Sequence, residues 1–308
     1  MAKWILKAIV QKAISFLPRK ERINFFFQKH VTKGVDLDDQ HFAYKLEAAR
    51  DHLRFYGRFG SVARQTAEVL ELGTGWYPIV PTVLYLAGFQ RTTSIDLRRW
   101  MDPTRQRIAF TRILDYHDRG LLQAYAPDID PERLAALREF ISGPLPADVS
   151  EGNALIRLNY RVMDATRLDL PDASFDFICS NNTFEHVYAG VLKDILREFK
   201  RVLKPDGTMS HFIDLSDHFA HMDGSINIYN FLRYTDKQWR LIDNDIQPQN
   251  RLRWKDYLAM YADLGIPIRH EEVRPGNPEL VNAIPLAPAY TITYTTEELA
   301  VSHGYIIS

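Results

Sequence analysis

The chain has 308 residues, enough for one large domain or one domain with appendages. Its charged fraction of 25% and hydrophobic fraction of 46% are ordinary for a globular protein, and its net charge of −1 gives no general nucleic-acid-binding signature. Cys179 is the only cysteine, so no internal disulfide framework can form, which is compatible with a reducing cytoplasm. No apolar run reaches the length of a transmembrane span.

Residues 1–62 are predicted to form a mostly helical N-terminal extension or lid, separate from the core of a main domain at residues 63–308. The pattern of residues 1–17 is amphipathic, and no small-residue cleavage site follows, so a signal peptide is not predicted. This helix either packs over the main domain as a lid or lies on an anionic membrane surface. Its two predicted sides are Lys3, Lys7 and Gln11 on one and Ile5, Ile9, Ala13 and Phe16 on the other.

A short apolar run leads into the turn Glu71-Leu72-Gly73-Thr74-Gly75, which is followed by Pro78 and an apolar stretch at 79–86. This pattern predicts a buried strand, a glycine turn and a helix opened by Pro78. Gly73 and Gly75 let the backbone approach a ligand closely at the carboxyl end of the strand. Because an acid, Glu71, precedes the first glycine by two positions, we interpret the turn as a nucleoside cofactor site.

Two classes of cofactor use such a turn. A dinucleotide-binding turn has the spacing Gly-x-Gly-x-x-Gly and places a pyrophosphate at a helix N-terminus. Here Pro78 occupies the third glycine position, and Glu71 places a negative charge near the turn. We therefore expect a ligand that carries positive charge and no phosphate. S-adenosylmethionine, with its sulfonium and amino groups, meets this description.

A second strand is predicted at residues 91–97, where β-branched residues lead to Asp96. The 25 positions from Glu71 to Asp96 are enough for a turn, a helix and a strand. An acid at the end of this strand can accept hydrogen bonds from both hydroxyls of a ribose. The spacing therefore strengthens the interpretation of the glycine turn as a cofactor site.

The stretch of 68 positions from Asp96 to Asp164 is too long for a simple helix-and-strand step. We predict a helical insert around residues 98–158, with helices at 103–125 and 131–141. Inserts at the carboxyl edge of such a sheet usually cover the ligand crevice. We therefore expect this insert to shape the substrate site.

Residues 161–187 read RVMDATRLDLPDASFDFICSNNTFEHV. Asp164-Ala165 follows a short apolar strand, where the carboxylate can accept a hydrogen bond from an adenine amino group. A buried strand then leads to Asn181, and a helix at 191–203 and a further strand at 208–215 follow. The alternation of strands and helices predicts an α/β fold, with a parallel sheet and helices on both faces.

At this point the sequence resembles a known family. From Asp164 through Leu170-Pro171 and Ser174-Phe175-Asp176 to Glu185-His186-Val187, it is similar to the signature of class I S-adenosylmethionine-dependent methyltransferases. The resemblance covers roughly residues 69–215. It implies a Rossmann-like, seven-stranded, mostly parallel sheet with helices on both faces.

The resemblance also implies the residues that contact the cofactor. Tyr77 stands where many members have a further glycine, and this departure concerns the shape of the methionine pocket. The implied contacts are Glu71, Gly73 and Gly75 around the methionine part, Asp96 on the ribose, Asp164 and Ala165 on the adenine, and Asn181 beside the cofactor.

Transfer of a methyl group from a sulfonium is an in-line displacement, and a hydroxyl acceptor additionally needs a base. His186 is the first candidate catalytic residue, although it can instead brace the turn in which it lies. His218 is the second, since it can form a His-Asp pair with Asp214 or Asp217 that deprotonates a hydroxyl. Asp214, Asp217 and His218 can alternatively contribute to a metal site or belong to a solvated loop. Ubiquinone-pathway O-methyltransferases resemble this region and use carboxylates with the Glu-His pair to bind a metal, but Asn182 stands at one carboxylate position. We therefore predict no metal ligands.

The loop from His218 to Tyr234 is rich in aromatic and hydrogen-bonding side chains, which can bind a sugar or a phenol. We expect O-methylation of a small-molecule or glycan hydroxyl by an enzyme that is cytoplasmic, either free or peripheral to the inner face of the membrane, with no nucleic-acid partner. The alternative is a non-catalytic S-adenosylmethionine-binding module that serves as a platform for partners, but the intact set of cofactor acids argues against decay of the site. An NAD-dependent oxidoreductase is disfavoured by Pro78 and Glu71.

Overall fold

The computed structural model describes residues 3–17, 37–245 and 247–308. The strands are β1 (Glu68–Leu72), β2 (Arg91–Asp96), β3 (Leu158–Val162), β4 (Phe175–Asn181), β5 (Leu203–Asp214), β6 (His270–Arg274) and β7 (His303–Ile307). The helices are α1 (Lys3–Ser15), α2 (Asp39–Phe59), α3 (Ile79–Leu86), α4 (Pro103–Asp118), α5 (Pro131–Ser142), α6 (Ser150–Leu155), α7 (Ala189–Val202), α8 (Asp236–Ile242), α9 (Trp254–Asp263), α10 (Pro278–Asn282), α11 (Pro288–Thr293) and α12 (Thr296–Ala300).

The described strands form one seven-stranded sheet in the order β3-β2-β1-β4-β5-β7-β6. Strand β1 pairs in parallel with β2 and β4, and β2 pairs in parallel with β3. Met209 of β5 and Ser308, which follows β7, exchange both backbone hydrogen bonds at 2.8 and 3.1 Å, and this reciprocal exchange is the antiparallel pattern. The sheet is mixed and mostly parallel, which confirms the predicted fold class.

The order of the strands reverses between β1 and β4. From β1 the chain builds β2 and β3 on one side, and it later returns to place β4 and β5 on the other side. In open α/β sheets, ligands bind outside the carboxyl ends of the strands at such a reversal. The glycine turn follows β1 directly, so the topology places it at the expected ligand-binding edge.

The predicted helices of the insert are present as α4 and α5. Each has a proline in its first turn and an aspartate as its N-cap. Asp102 caps α4 by accepting a hydrogen bond from the Arg105 N–H at 2.8 Å, and Asp130 caps α5. The sequence did not reveal α6. Strand β5 begins at Leu203, five residues before the predicted start at 208, and the Lys204 ammonium near its beginning binds the Asp176 carboxylate of β4 at 2.8 Å.

The chain divides into two compact units. The first unit comprises Leu37–Asn181, Asp194–His211 and Ile307–Ser308. Its core contains residues of α2 as well as of β1, α3, α4 and β4; the ring of Tyr56, for example, lies 5.1 Å from that of Phe177. Residues 39–59 are thus part of this core rather than separate from it. The reason is that Phe42, Leu46 and Leu53 form an apolar face of α2 that is buried in the core.

Among the described residues, the second unit comprises 3–17, Asn182–Lys193 and Phe212–Ile306. Its core is aromatic and includes Trp4 and Ala8 of α1. The helix therefore presents a different face from the predicted one: Gln11 is buried, whereas Ile9 and Phe16 are 53% and 79% exposed. The physical reason is that the partner surface accommodates the Trp4 ring and the Gln11 amide, which contacts the Gln247 side chain at 3.3 Å. Whether residues 1–62 act as a lid stays a prediction.

Candidate functional site

The glycine turn holds the predicted cofactor residues of β1 in place. Gly73 and Gly75 have φ angles of 86° and 70°, a backbone conformation that favours glycine. The Gly73 N–H donates to the Ile95 carbonyl of β2 at 2.9 Å, which ties the turn to the neighbouring strand. A Cβ added at Gly75 would meet no atom within 4 Å, so the space beside this glycine is open. The turn can therefore accept a ligand close to its backbone.

Glu71 is buried beneath this turn, where its carboxyl accepts a hydrogen bond from the Thr74 hydroxyl. Burial raises the pKa of Glu71, and the hydroxyls of Thr74 and Ser94 and the charge of Lys45 partly offset this effect. Lys45 lies on α2, which shows that this helix influences the charge of the predicted cofactor site. Glu71 thus forms the polar floor of the turn.

Asp96 ends β2 beside the same turn, and its carboxyl accepts a hydrogen bond from the Gly75 N–H at 3.2 Å. Burial raises the pKa of Asp96 to about 7; the Glu71 charge adds to this rise, and the bonds from Gly75 and Tyr160 oppose it. The Tyr160 hydroxyl also accepts a hydrogen bond from the Trp100 N–H at 3.2 Å. A buried carboxylate held in this way has fixed acceptor atoms at the edge of the sheet.

Asp164 and Ala165 follow β3, and Asn181 ends β4. One oxygen of the exposed Asp164 carboxyl accepts hydrogen bonds from the N–H and hydroxyl of Thr166 at 2.9 and 2.8 Å. Within the described residues, its other oxygen accepts no hydrogen bond. Ala165 and Asn181 are buried. The seven predicted cofactor residues all lie in the first unit, in the last residues of the parallel strands β1, β2 and β4 or in the residues that follow β1 and β3.

His218 lies in the second unit and contacts a buried carboxylate. Its Nε2 atom is 3.4 Å from one oxygen of Asp214, and Nε2 of His303 is 3.3 Å from the other. Burial alone would raise the pKa of Asp214, but the two imidazoles outweigh burial and hold this pKa well below its usual range. The Asp214 carboxylate therefore lies within ion-pair distance of both imidazoles.

His186 is bonded differently from His218. Its Nδ1 atom lies 2.7 Å from the Pro248 carbonyl, so this nitrogen must carry the hydrogen and donate. Burial lowers the pKa of His186 to about 4, and the neighbouring His218 lowers it further while the Pro248 bond opposes the change. The rings of the two histidines are 4.9 Å apart. His186 is thus a neutral imidazole that connects its turn to the segment after α8.

Two groups of side chains in the second unit have ligand atoms within 4.8 Å of one another. One is Glu185, His186 and His218, and the other is Asp214, His218 and His221. Imidazole and carboxylate ligands of this kind suit zinc and related transition metals. The prediction that the chain has no metal ligands stays a prediction, and the two groups define where it should be tested.

A methyltransferase domain model matches residues 109–210, about a third of the chain. The match includes β3, β4 and most of β5, and with them Asp164, Ala165, Asn181 and His186. Residues 109–210 therefore belong to a methyltransferase domain. Its cofactor is S-adenosylmethionine. The glycine turn and Asp96 lie outside the matched residues.

Comparisons with known proteins gave matches to solved structures and none to curated proteins. An S-adenosylmethionine-dependent methyltransferase from Methanosarcina mazei is 15% identical, with 80% of this chain and 92% of that chain covered and a TM-score of 0.44. One from Mesorhizobium loti is 13% identical, with 85% and 98% covered and a TM-score of 0.43. A protein of Pyrococcus horikoshii OT3 is 17% identical, with 61% of this chain and 65% of that chain covered and a TM-score of 0.37.

The residues of the methyltransferase's first unit fit the chemistry of its cofactor. S-adenosylmethionine has a ribose with two hydroxyls, an adenine amino group and a cationic methionine part. The buried Asp96 carboxyl can accept from hydroxyls, the second oxygen of Asp164 can accept from an amino group, and Glu71 places negative charge beneath the turn. The open space beside Gly75 leaves room for S-adenosylmethionine to lie close to the backbone of the turn.

Several side chains of the two sites were not predicted from the sequence. Thr74 and Ser94 bind at Glu71, and Tyr160 supports Asp96. Thr74 could have been found because it stands inside the glycine turn. His303 could not, because 85 positions separate it from His218 and only the return of β7 to β5 brings it to Asp214.

Proposed function

We propose that this methyltransferase transfers the methyl group of S-adenosylmethionine to a hydroxyl oxygen of a small molecule or glycan, with His218 as the base. The observation that carries the proposal is the Asp214–His218 pair, with a distance of 3.4 Å from carboxylate to Nε2. A carboxylate that orients an imidazole is a common arrangement for deprotonating a hydroxyl. His186 is the second candidate, but its hydrogen-bonded Nδ1 supports a positioning role.

In the proposed reaction, S-adenosylmethionine supplies an electrophilic methyl carbon on a sulfonium. The acceptor oxygen forms a bond to this carbon as the carbon–sulfur bond breaks, and S-adenosylhomocysteine leaves. The proton of the acceptor hydroxyl passes to His218, and the negative charge of Asp214 stabilises the imidazolium that forms. We further propose that Glu71, Gly73 and Gly75 hold the methionine part, Asp96 the ribose, Asp164 and Ala165 the adenine, and that Asn181 lies beside the cofactor.

The side chains around His218 support a hydroxyl acceptor of the sugar or phenol type. Phe219 and Trp239 offer aromatic faces, and their ring centroids are 6.5 Å apart. Gln249, whose side-chain oxygen lies 3.4 Å from the His218 N–H, and Asn244 add amide groups close to them. Aromatic faces with neighbouring amides suit a ring that carries hydroxyl groups.

The proposed function predicts transfer of label to oxygen. Purified protein is incubated with S-adenosylmethionine carrying a ¹³C-labelled methyl group and a panel of phenols, catechols, neutral sugars and uronic acids. We expect an O-methyl carbon resonance with at least one acceptor, and a much weaker one with the Asp96→Asn variant at the same limiting concentration of S-adenosylmethionine. Labelling only on nitrogen, carbon or sulfur, or only of added proteins or nucleic acids, would contradict the proposal.

We also propose that the enzyme is cytoplasmic and binds peripherally to the inner face of the membrane through α1. The face of α1 opposite Trp4 and Ala8 carries Leu6 and Ile9, which are 57% and 53% exposed, and Phe16, directly after the helix, is 79% exposed. Among the described residues, no helix has both the length and the apolarity of a membrane span. An apolar stripe on a basic helix supports binding in the plane of an anionic surface.

Membrane binding is expected to depend on this stripe. We predict that the protein sediments with vesicles of phosphatidylglycerol more than with vesicles of phosphatidylcholine. The double variant Ile9→Ser/Phe16→Ser should bind the anionic vesicles at least about tenfold less tightly, since two large apolar side chains no longer enter the interface. The double variant Ile292→Ser/Leu241→Ser, which changes exposed apolar side chains elsewhere, is the matched control. Equal binding of all three proteins would contradict the proposal.

A further inference from the structure

Helix α1 forms one wall of a small cavity in the second unit. The cavity is lined by Lys7 and Gln11 from α1, by His218 and Phe219 after β5, and by Trp239 of α8. The wall is completed by the segment after α8, which contributes Asp243, Asn244, Gln247 and Gln249. The candidate base thus shares a cavity with a lysine that is more than two hundred positions earlier in the sequence.

Lys7 is the cation of this cavity. Its ammonium is half-buried and lies 5.7 Å from the centre of the Phe219 ring. Across the part of the chain that the structure describes, it has neither a hydrogen-bond acceptor nor an ion-pair partner. The negative charge of Asp217 acts on the Lys7 ammonium only at a distance. The Asp217 carboxyl itself accepts hydrogen bonds from the Phe219 N–H at 2.8 Å and from the Asn230 amide at 3.1 Å. A half-buried ammonium with unused donors favours an anionic partner.

Lys12, further along α1, differs from Lys7 because its ammonium has hydrogen-bond acceptors. Its ammonium donates to the carbonyls of Arg240 and Asp243 at 3.0 and 2.6 Å. These bonds fix α1 on α8 and account for Lys12 in structural terms. No comparable structural role explains Lys7, whose side chain reaches the cavity instead.

We propose that the cavity is the acceptor site and that it takes an anionic sugar or a similar anionic polyol, whose carboxylate or phosphate is bound by Lys7. The inference rests on the proposed function and names its substrate class. The amides of Gln11 and Gln247, which line the cavity, suit the hydroxyls of the polyol, and the Trp239 ring suits the apolar face of a sugar ring. His218 then lies in the same cavity as the hydroxyl to be methylated.

The size of the cavity gives α1 a second role. The free space is about 10 Å³, which is room for a single water molecule. A sugar needs more room than this, and movement of α1 away from α8, with opening of the Gln11–Gln247 contact of 3.3 Å and of the two Lys12 bonds, provides it. Helix α1 therefore acts as a lid that closes on the acceptor and brings Lys7 with it.

The test is a calorimetric comparison of charged and neutral probes on protein saturated with S-adenosylhomocysteine. The carboxylate pair is 4-nitrophenyl β-glucuronide against 4-nitrophenyl β-glucoside, and the phosphate pair is glucose 6-phosphate against glucose. We expect the charged member of at least one pair to bind at least tenfold more tightly than its neutral partner. The Lys7→Met variant should remove this difference, Lys7→Arg should keep most of it, and Lys3→Met, on the exposed side of the same helix, should leave it unchanged.

The proposal is overturned if the charged and neutral probes bind equally, if none of the four binds, or if Lys7→Met weakens both members of a pair alike. If Lys7→Met fails to fold, protection of Lys7 in the wild-type protein from acetylation, measured by mass spectrometry, decides: the charged probe should protect it and the neutral probe should not. Binding of a charged probe without any O-methyl product would contradict the proposed function but not the proposed anion-binding site. Methylation of neutral sugars that is unaffected by Lys7→Met would support O-methylation and contradict the proposed anion-binding site.

Discussion

Replacing Asp96 by asparagine is expected to weaken S-adenosylhomocysteine binding by about 10²-fold or more. In the proposed complex the carboxylate accepts hydrogen bonds from both ribose hydroxyls, and each hydrogen bond to a charged group is worth about 1.5–3 kcal/mol. Asparagine has a single acceptor oxygen and loses the charge, so much of this free energy of binding disappears. Calorimetric titration with S-adenosylhomocysteine measures the change directly. Asp169→Asn, which removes an exposed carboxylate on the same unit, is the matched control.

The pH dependence provides a second readout for Asp96. Because burial raises the pKa of this carboxyl to about 7, a substantial fraction is protonated just below neutral pH. The protonated acid offers fewer acceptor sites than the carboxylate. We therefore expect the affinity of the wild-type protein for S-adenosylhomocysteine to rise between pH 6 and pH 8, and that of Asp96→Asn to change less.

Loss of binding must be separated from loss of folding. The pKa of Asp96 is about 7 in the folded protein and has an ordinary value of 3.8. The folded state therefore binds this proton more tightly than the unfolded state, and ionisation of Asp96 lowers the free energy of unfolding as the pH rises from about 4 through 7. At pH 8 the Asp96→Asn variant should be at least as stable to urea as the wild type. Affinity within threefold of wild type in a folded variant would refute the ribose assignment.

The strands and the turn that carry the predicted cofactor residues were predictable because their signals are local. Gly73 and Gly75 need positive φ, and the strand that ends at Asp96 follows at a distance fixed by one turn and one helix. Parallel strands of a single sheet end at the same edge, so residues after β1, β2, β3 and β4 could be grouped before any coordinates were known. The prediction from periodicity alone was less successful for α1, whose buried face is chosen by an aromatic partner surface.

The environment of the candidate base was not predictable in the same way. The sequence left Asp214 and Asp217 open as partners of His218, and the structure places Asp214 at 3.4 Å from its Nε2. His303 joins them only because β7 lies beside β5 in the sheet. Lys7, near the opposite end of the chain, lines the same cavity as His218. Contacts between residues so far apart leave no periodic pattern, and they follow only from the complete topology.

Replacing His218 by glutamine is expected to lower kcat by about 10²–10⁴-fold, the usual contribution of a general base. Glutamine keeps a polar side chain of similar length but cannot take up the proton of the acceptor hydroxyl. The Asp214→Asn variant should lower kcat in the same direction, because it removes the carboxylate that orients His218 at 3.4 Å and stabilises its charged form. Neither change should alter the affinity for S-adenosylhomocysteine by more than about threefold, because neither residue is among the predicted cofactor contacts.

Two further measurements separate a base from the other roles of this histidine. On the surface of the first unit, His117 Nδ1 lies 3.3 Å from the Asp118 carboxylate. His117→Gln therefore makes the same substitution in a histidine–carboxylate pair outside the candidate site, and it should retain wild-type kcat. His186→Gln should lower kcat by less than His218→Gln, since its Nδ1 is committed to the Pro248 carbonyl. If instead a chelator abolishes activity, and added zinc or magnesium restores it to the wild type but not to His218→Gln, then His218 is a metal ligand rather than a base. Activity that a chelator leaves intact, together with the large loss in His218→Gln, is the result that the Asp214–His218 geometry leads us to expect.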